Sequence, residues 1–326
     1  MTAPLLRAAW RRHLRLLTAA SAVGAAAATA GIVAVHRRWG AGEDPTGGEP
    51  LCLPDGDDLT VTTRDGARLA VRVAGPEDGP VMVLLHGWTN DRRVWGAVAK
   101  RLVAAGHRVV LYDQRGHGDS TVGGDGLTME ALGADVEAVL DAVDATDAVL
   151  AGHSMGGMAA QAFAVNHQAT LAQRVAALVI VSSACDRAGR HRFGLFVDRR
   201  IADWALAFSP LAPLLVRQSV GTKFNLDHLA AVRDLFVATP PPVRRQLRAA
   251  MVQMDFSGHV AAIPVPVTIV AGTRDQIVPF SRSRRIAELL PNAELKVLDD
   301  HGHMLVWEAP DELAGVLSAA ASDTGA

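Results

Sequence analysis

"VLAGHSMGGMA", residues 149–159, sets Ser154 where an apolar run ends and a helix-like stretch begins, with Gly152 and Gly156 two residues to either side. The run "DAVLA" predicts a short buried strand, and "MGGMAAQAFAVNH" predicts the helix that follows it. A side chain on so tight a strand-to-helix turn needs small neighbours, because the backbone is strained and packs closely; the two glycines meet that need. The turn lifts the hydroxyl above the sheet. Behind it the helix N-terminus offers backbone N–H groups, that of Met155 among them, to a negative charge forming beside the serine. A serine hydroxyl is a poor nucleophile until a base removes its proton, so the reading calls for a histidine and a carboxylate to hold it. "AGTRDQIVP" supplies Asp275 just after one predicted strand, and "DDHGHMLVWEAP" supplies His303 just after the next. Loops at the carboxyl ends of neighbouring parallel strands converge in space.

Working outward, the chain shows a regular rhythm from residue 57. A β-hairpin, "LTVTT" and "RLAVRVA", turns at Arg64-Asp65-Gly66. The short β-branched runs "VMVLL", "RVVLY", "DAVLA", "ALVIVS", "VTIVAG" and "ELKVLD" suit strands covered on both faces. Between them lie predicted helices over 93–105, 129–144 (with Thr128 as N-cap), 155–167, 281–290 and 311–321. This predicts an α/β architecture, a mostly parallel sheet flanked by helices. Residues 186–262 break the rhythm with helical stretches, aromatics and Pro240-Pro241-Pro242, and read as a helical lid inserted between two strands.

Over residues 57–326 the chain resembles the α/β-hydrolase fold family. "LLHGW" is similar to the family's oxyanion loop, "YDQRGHGDS" to its turn after the following strand, "GHSMGG" to its nucleophile elbow and "GHMLVWEAP" to its catalytic histidine segment. Carried over, the resemblance implies Ser154 as nucleophile, His303 as general base and then acid, and Asp275 as orienting carboxylate. It implies an oxyanion hole from the backbone N–H groups of Met155 and Trp88, the Trp88 side chain being free to vary. His86 and Gly87 would support the oxyanion loop, and Gly152 and Gly156 the elbow. His153 and Asp113 read as structural, His301 as a rival base, Asp299 and Asp300 as rival acids, and Asp186 as a further rival acid after the preceding strand. The implied reaction is cleavage of a carboxylic ester through an acyl-enzyme, as in esterases and lipases, with no cofactor and no metal. Serine at the elbow argues against the dehalogenase and epoxide-hydrolase types, which carry aspartate there. Haloperoxidase-like perhydrolysis, C–C bond hydrolysis and lactone hydrolysis use the same triad. A silent ligand-binding protein of the same fold is the alternative from another class.

Composition narrows the partners. With 326 residues, 49% hydrophobic and 20% charged, and a net charge of -2, the chain can bury a large core and has no basic field for nucleic acid. Cys52 and Cys185 form no metal-binding pattern, and a disulfide between them is open if the protein is exported. Residues 16–35, "LLTAASAVGAAAATAGIVAV", are uncharged and long enough to cross a bilayer. Arginines 7, 11, 12 and 15 precede them and Arg37 and Arg38 follow, which sets the N-terminus inside and the remainder outside the cytoplasm. The segment reads as a membrane anchor or as a signal peptide cut after "ATA" at 28–30. Residues 39–56, rich in Gly, Pro and acid, read as an exposed linker. The expected partner is a small-molecule acyl ester, and no oligomeric state is fixed.

Overall fold

A computed structural model describes residues 44–187, 217–291 and 293–322. Eight strands form one sheet in the order β1-β2-β4-β3-β5-β6-β7-β8. The hairpin β1 (Asp57–Thr62) and β2 (Arg68–Ala74) joins antiparallel, and β2 pairs antiparallel with β4 (Arg108–Tyr112). From β4 onward, β3 (Val81–Leu85), β5 (Ala148–His153), β6 (Val175–Val181), β7 (Val267–Gly272) and β8 (Ala293–Leu298) run parallel. Every residue of β3 and β5 is buried, as expected of central strands covered on both faces. At the sheet edge, β8 is half-exposed and carries Glu294 and Lys296, charges that discourage pairing with another chain.

Side chains alternate across the strands, so two apolar layers form. One layer joins Val83, Leu85, Val110 and Ile269 to α2 (Met129–Ala142), α3 (Met155–Asn166) and α7 (Phe280–Leu289). The opposite layer holds Met82, Leu84, Val109 and Val149, with α1 (Gly96–Ala104) and α9 (Pro310–Ser322) packed together over that side. Helix α3 is buried from Met155 through Ala164, and its glycines and alanines let it approach the sheet closely. Thr128 caps α2 as expected, its side chain accepting from the Ala131 N–H.

The helix expected over 93–105 is split. Asp91 caps a 3-10 turn over Arg92–Trp95 by accepting from the Arg93 N–H, and α1 starts only at Gly96. A short polar helix, α4 (Gln168–Arg174), has no apolar stripe to announce it and was not anticipated. Between β6 and β7 the described part of the insertion is helical, with α5 (Leu226–Ala238) and α6 (Pro241–Gln253). The membrane-anchor stretch 16–35 lies outside the described residues. Among the described residues no helix is long and apolar enough to cross a membrane. The linker stretch, from Asp44 on, has no helix or strand but is tied to the body: Glu49 pairs with Lys100 at 2.7 Å, and Arg101 donates to the Pro45 carbonyl at 3.1 Å. Cys52 is exposed and Cys185 buried, both as free thiols, so the possible disulfide is not formed.

Candidate active site

Strand β5 delivers Ser154 to the start of α3 with φ 54° and ψ −116°, a left-handed conformation costing about 1–3 kcal/mol in a non-glycine residue. Its surroundings hold it there. The Ser154 N–H donates to Val181 O at 2.8 Å, and Ser183 Oγ donates to Ser154 O at 2.7 Å. A methyl on Gly152 would strike the Gly156 carbonyl, and one on Gly156 would strike the Leu85 carbonyl on β3. Glycine at both positions is therefore a matter of space, since neither has a positive φ.

Three loops at the carboxyl end of the sheet meet at this turn. Ser154 Oγ is 3.0 Å from His303 Nε2, and His303 Nδ1 is 2.8 Å from Asp275 Oδ2. The other Asp275 oxygen accepts from the backbone N–H groups of Ile277 and Val278, each at 2.8 Å, so the carboxylate cannot rotate without losing two bonds. With Nδ1–H donating to the carboxylate, Nε2 is left as the acceptor for the serine hydroxyl proton. All three residues are buried or nearly so, and a charge forming there is poorly screened.

The loop 86–89 lies directly against the serine. A Cβ built on Gly87 would stand 3.2 Å from Ser154 Cβ and 3.2 Å from His153 Nδ1, so only glycine fits comfortably. His86 Nδ1 donates to Gly87 O at 2.8 Å while its Nε2 accepts from the Gln114 N–H at 2.9 Å. His117 Nε2 accepts from the Thr89 N–H at 3.2 Å. Burial pushes both imidazoles down, His117 to about 3, which keeps them neutral and able to accept. Two neutral histidines thus brace the loop that precedes and follows Trp88. Asp113 anchors the neighbouring turn, accepting from the Arg92 N–H at 2.7 Å and the Asp119 N–H at 2.9 Å.

The rivals stand elsewhere. Asp186 pairs with Arg282 at 2.6 Å, and Asp300 with Arg274 at 2.6 Å. His301 Nδ1 is 2.7 Å from the Asp299 carbonyl and makes no bond to the serine. His153 donates from Nε2 to the His303 carbonyl at 2.8 Å, a structural role, and burial beside His303 holds its pKa at about 3. The Trp88 side chain, expected to be free to vary, makes defined contacts. Its Nε1 donates to Arg244 O at 3.2 Å and its ring stands edge-on to Phe236 at 6.2 Å. Sequence alone does not mark His117, Gln114, Arg244 and Glu308, although three of the four lie inside stretches that carry the motifs. Among the described residues no three of His, Cys, Asp and Glu group as a metal ion would require.

Comparison with known proteins agrees with this architecture. The family model described as the alpha/beta hydrolase fold matches residues 80–310. The chain is 30% identical over 270 residues to a non-heme chloroperoxidase of Streptomyces lividans, covering 78% of this chain and 96% of that protein. It is 29% identical over 245 residues to a bifunctional esterase/perhydrolase of Acinetobacter calcoaceticus, covering 72% and 89%. An esterase from Rhodococcus sp. ECU1013 superposes with a TM-score of 0.69 at 26% identity, covering 82% of this chain and 99% of that one. The matched span takes in the serine turn, the carboxylate and the histidine loop alike, and the chain belongs to the α/β-hydrolase fold family.

Proposed function

We propose that the protein is a serine hydrolase that cleaves carboxylic esters through an acyl-enzyme. The supporting observation is the continuous hydrogen-bond chain from Ser154 Oγ through His303 to Asp275. In this reading His303 Nε2 takes the hydroxyl proton as Ser154 Oγ bonds to the acyl carbon. The carbonyl oxygen becomes an oxyanion beside the backbone N–H groups of Met155 and Trp88, each worth about 2.7–4 kcal/mol to the transition state. His303 then protonates the leaving alcohol. A water gives its proton to His303, attacks the acyl-enzyme and releases the acid, restoring the serine. The substrate is read as a lipophilic ester because residues 16–35 would hold the enzyme at a membrane.

A second reading draws on the esterase/perhydrolase relative. There hydrogen peroxide replaces water, and the acyl-enzyme is released as a peracid with the serine restored. The first step is common to both.

Turnover of p-nitrophenyl esters of increasing acyl length, with fluorophosphonate labelling, tests the reading on the full chain. Wild type should turn over and label, Ser154→Ala should do neither, and Asp275→Asn should lose about 10³–10⁴ in kcat. Asp186→Asn should stay near wild type, because that carboxylate serves Arg282. A preference for short, soluble esters would remove the lipophilic assignment, and peracid formation on adding peroxide would favour the second reading. Folded wild type that neither labels nor turns over would point instead to a ligand-binding protein.

A further inference from the structure

Among the buried acids that the acyl-transfer chemistry does not use, Glu308 differs from Asp91, Asp113 and Asp135, each of which is paired with an arginine. Glu308 ends α8 (Leu305–Glu308), five residues after His303, and is only 1% exposed. A single oxygen, Oε2, accepts two backbone bonds: from the Gly302 N–H at 2.9 Å and from the Gly221 N–H at 2.7 Å. Gly302 directly precedes His303, and Gly221 lies in the inserted segment. The same two stretches are joined again nearby. Met304 N–H donates to Ser219 O at 3.1 Å, and Thr222 donates to Asp300 O from both its N–H, at 3.3 Å, and its Oγ1, at 3.1 Å. Gly221 and Gly302 approach so closely that a methyl on either would collide with the backbone of the other.

Burying a carboxylate is costly, and the cost is visible as a pKa pushed up to about 7. A group kept at such cost between two loops has to hold something. Its surroundings fit that role: Gly302 is conformationally permissive, and His303 has to present Nδ1 to Asp275 and Nε2 to Ser154 at once.

We propose that Glu308 is a positioning residue whose carboxylate oxygen clamps the His303 loop to the inserted segment, and so holds the imidazole in line between Asp275 and Ser154. The insertion is then part of the frame of the site. This rests on the acyl-transfer reading.

The second oxygen of Glu308, Oε1, is buried without a hydrogen-bond partner. A glutamine can keep its carbonyl oxygen on both glycine donors, leaving its NH2 without an acceptor at a cost in stability of about 1–3 kcal/mol, whereas leucine offers no acceptor and aspartate, one methylene shorter, pulls its oxygens away. The test is kcat and KM of the full chain, per active site counted by exhaustive fluorophosphonate labelling. Glu308→Leu should lose about 10²-fold in kcat, the order expected for a displaced catalytic group, with KM within about twofold. Glu308→Asp should lose about tenfold or more, and Glu308→Gln should remain within about threefold of wild type. A role in folding alone would reduce the number of labelled sites and leave kcat per site unchanged. If Glu308→Leu keeps wild-type kcat per site, or Glu308→Gln falls as far as Glu308→Leu, the proposal is overturned. Should Glu308→Leu fail to fold, aspartate as active as glutamine overturns it equally. Failure of the underlying reading looks different, because wild type itself would then neither label nor turn over.

Discussion

At Trp88 one residue has two separate jobs. Its backbone stands next to Gly87, which touches the serine, while its side chain reaches the insertion by a hydrogen bond to Arg244 O and an edge-on contact with Phe236. Arg244 is itself held: it is buried, donates to Phe236 O at 2.7 Å and Thr239 O at 2.6 Å, and lies 4.3 Å above the Phe236 ring. Removing the indole loses one hydrogen bond and one aromatic contact, each about 1 kcal/mol. Trp88→Ala should therefore lower kcat/KM by up to about 30-fold, and Trp88→Phe, which keeps a ring but loses the hydrogen bond, by up to about fivefold. Steady-state kinetics on a single p-nitrophenyl ester checks both. Equal activity in wild type and Trp88→Ala would return the side chain to a passive role.

Elements are held by local signals of very different weight. Thr128 satisfies one N–H at the start of α2, and Thr128→Ala should cost about 1 kcal/mol, a fall of about 2 °C in Tm by calorimetry, without change in kcat. Gly156 stands between α3 and β3, where a methyl meets the Leu85 and His86 carbonyls. Gly156→Ala should cost several-fold more than the cap and should also lower fluorophosphonate labelling, because the backbone that must move carries Ser154. Strand positions were legible within one or two residues, since buried β-branched runs have little alternative use. β5 was expected to stop at Ala151 but continues through His153, where Gly152 and His153 pair with Ile180 and Val181 of β6. Such pairing depends on a neighbour that no local window contains.

The whole molecule carries several buried titratable groups, and their signs decide how it responds to pH. Burial holds His86, His117 and His153 below the ordinary histidine value, the last two at about 3. Below pH 6.5 the unfolded chain binds protons that the folded chain refuses, so stability is lost as pH falls, by about 2 kcal/mol at pH 5 for each of His117 and His153. Glu308 acts in the opposite sense. Its folded pKa of about 7 lies above the ordinary 4.5, so it contributes stability as pH falls from 7 toward 4.5. Burial raises Asp113 and Asp135 as well, in the same sense as Glu308, but the deeply depressed histidines carry the larger effect. The urea midpoint should drop between pH 7.5 and pH 5, more steeply in Glu308→Gln, where one opposing group is gone. A midpoint that is flat or rises on acidification would contradict these assignments.

Sequence by itself determined the strands, the order of the chemical groups along the chain, and the demand for glycine around Ser154, because each follows from local periodicity and local sterics. It also named Ser154, Asp275 and His303, through the need of a serine for a base and of a base for a carboxylate. It preferred Asp275 to Asp186 and His303 to His301 only by resemblance of motif, with no contact to support either choice. The tertiary structure supplies the contacts, by bringing the ends of β5, β7 and β8 together on one edge of the sheet and leaving Asp186 on Arg282 and His301 on its own loop. The contacts of the Trp88 side chain and of Glu308 were likewise invisible along the chain. Each acts on a segment far away in sequence, Arg244 for one and Gly221 for the other, and contacts between distant segments exist only once the chain has folded.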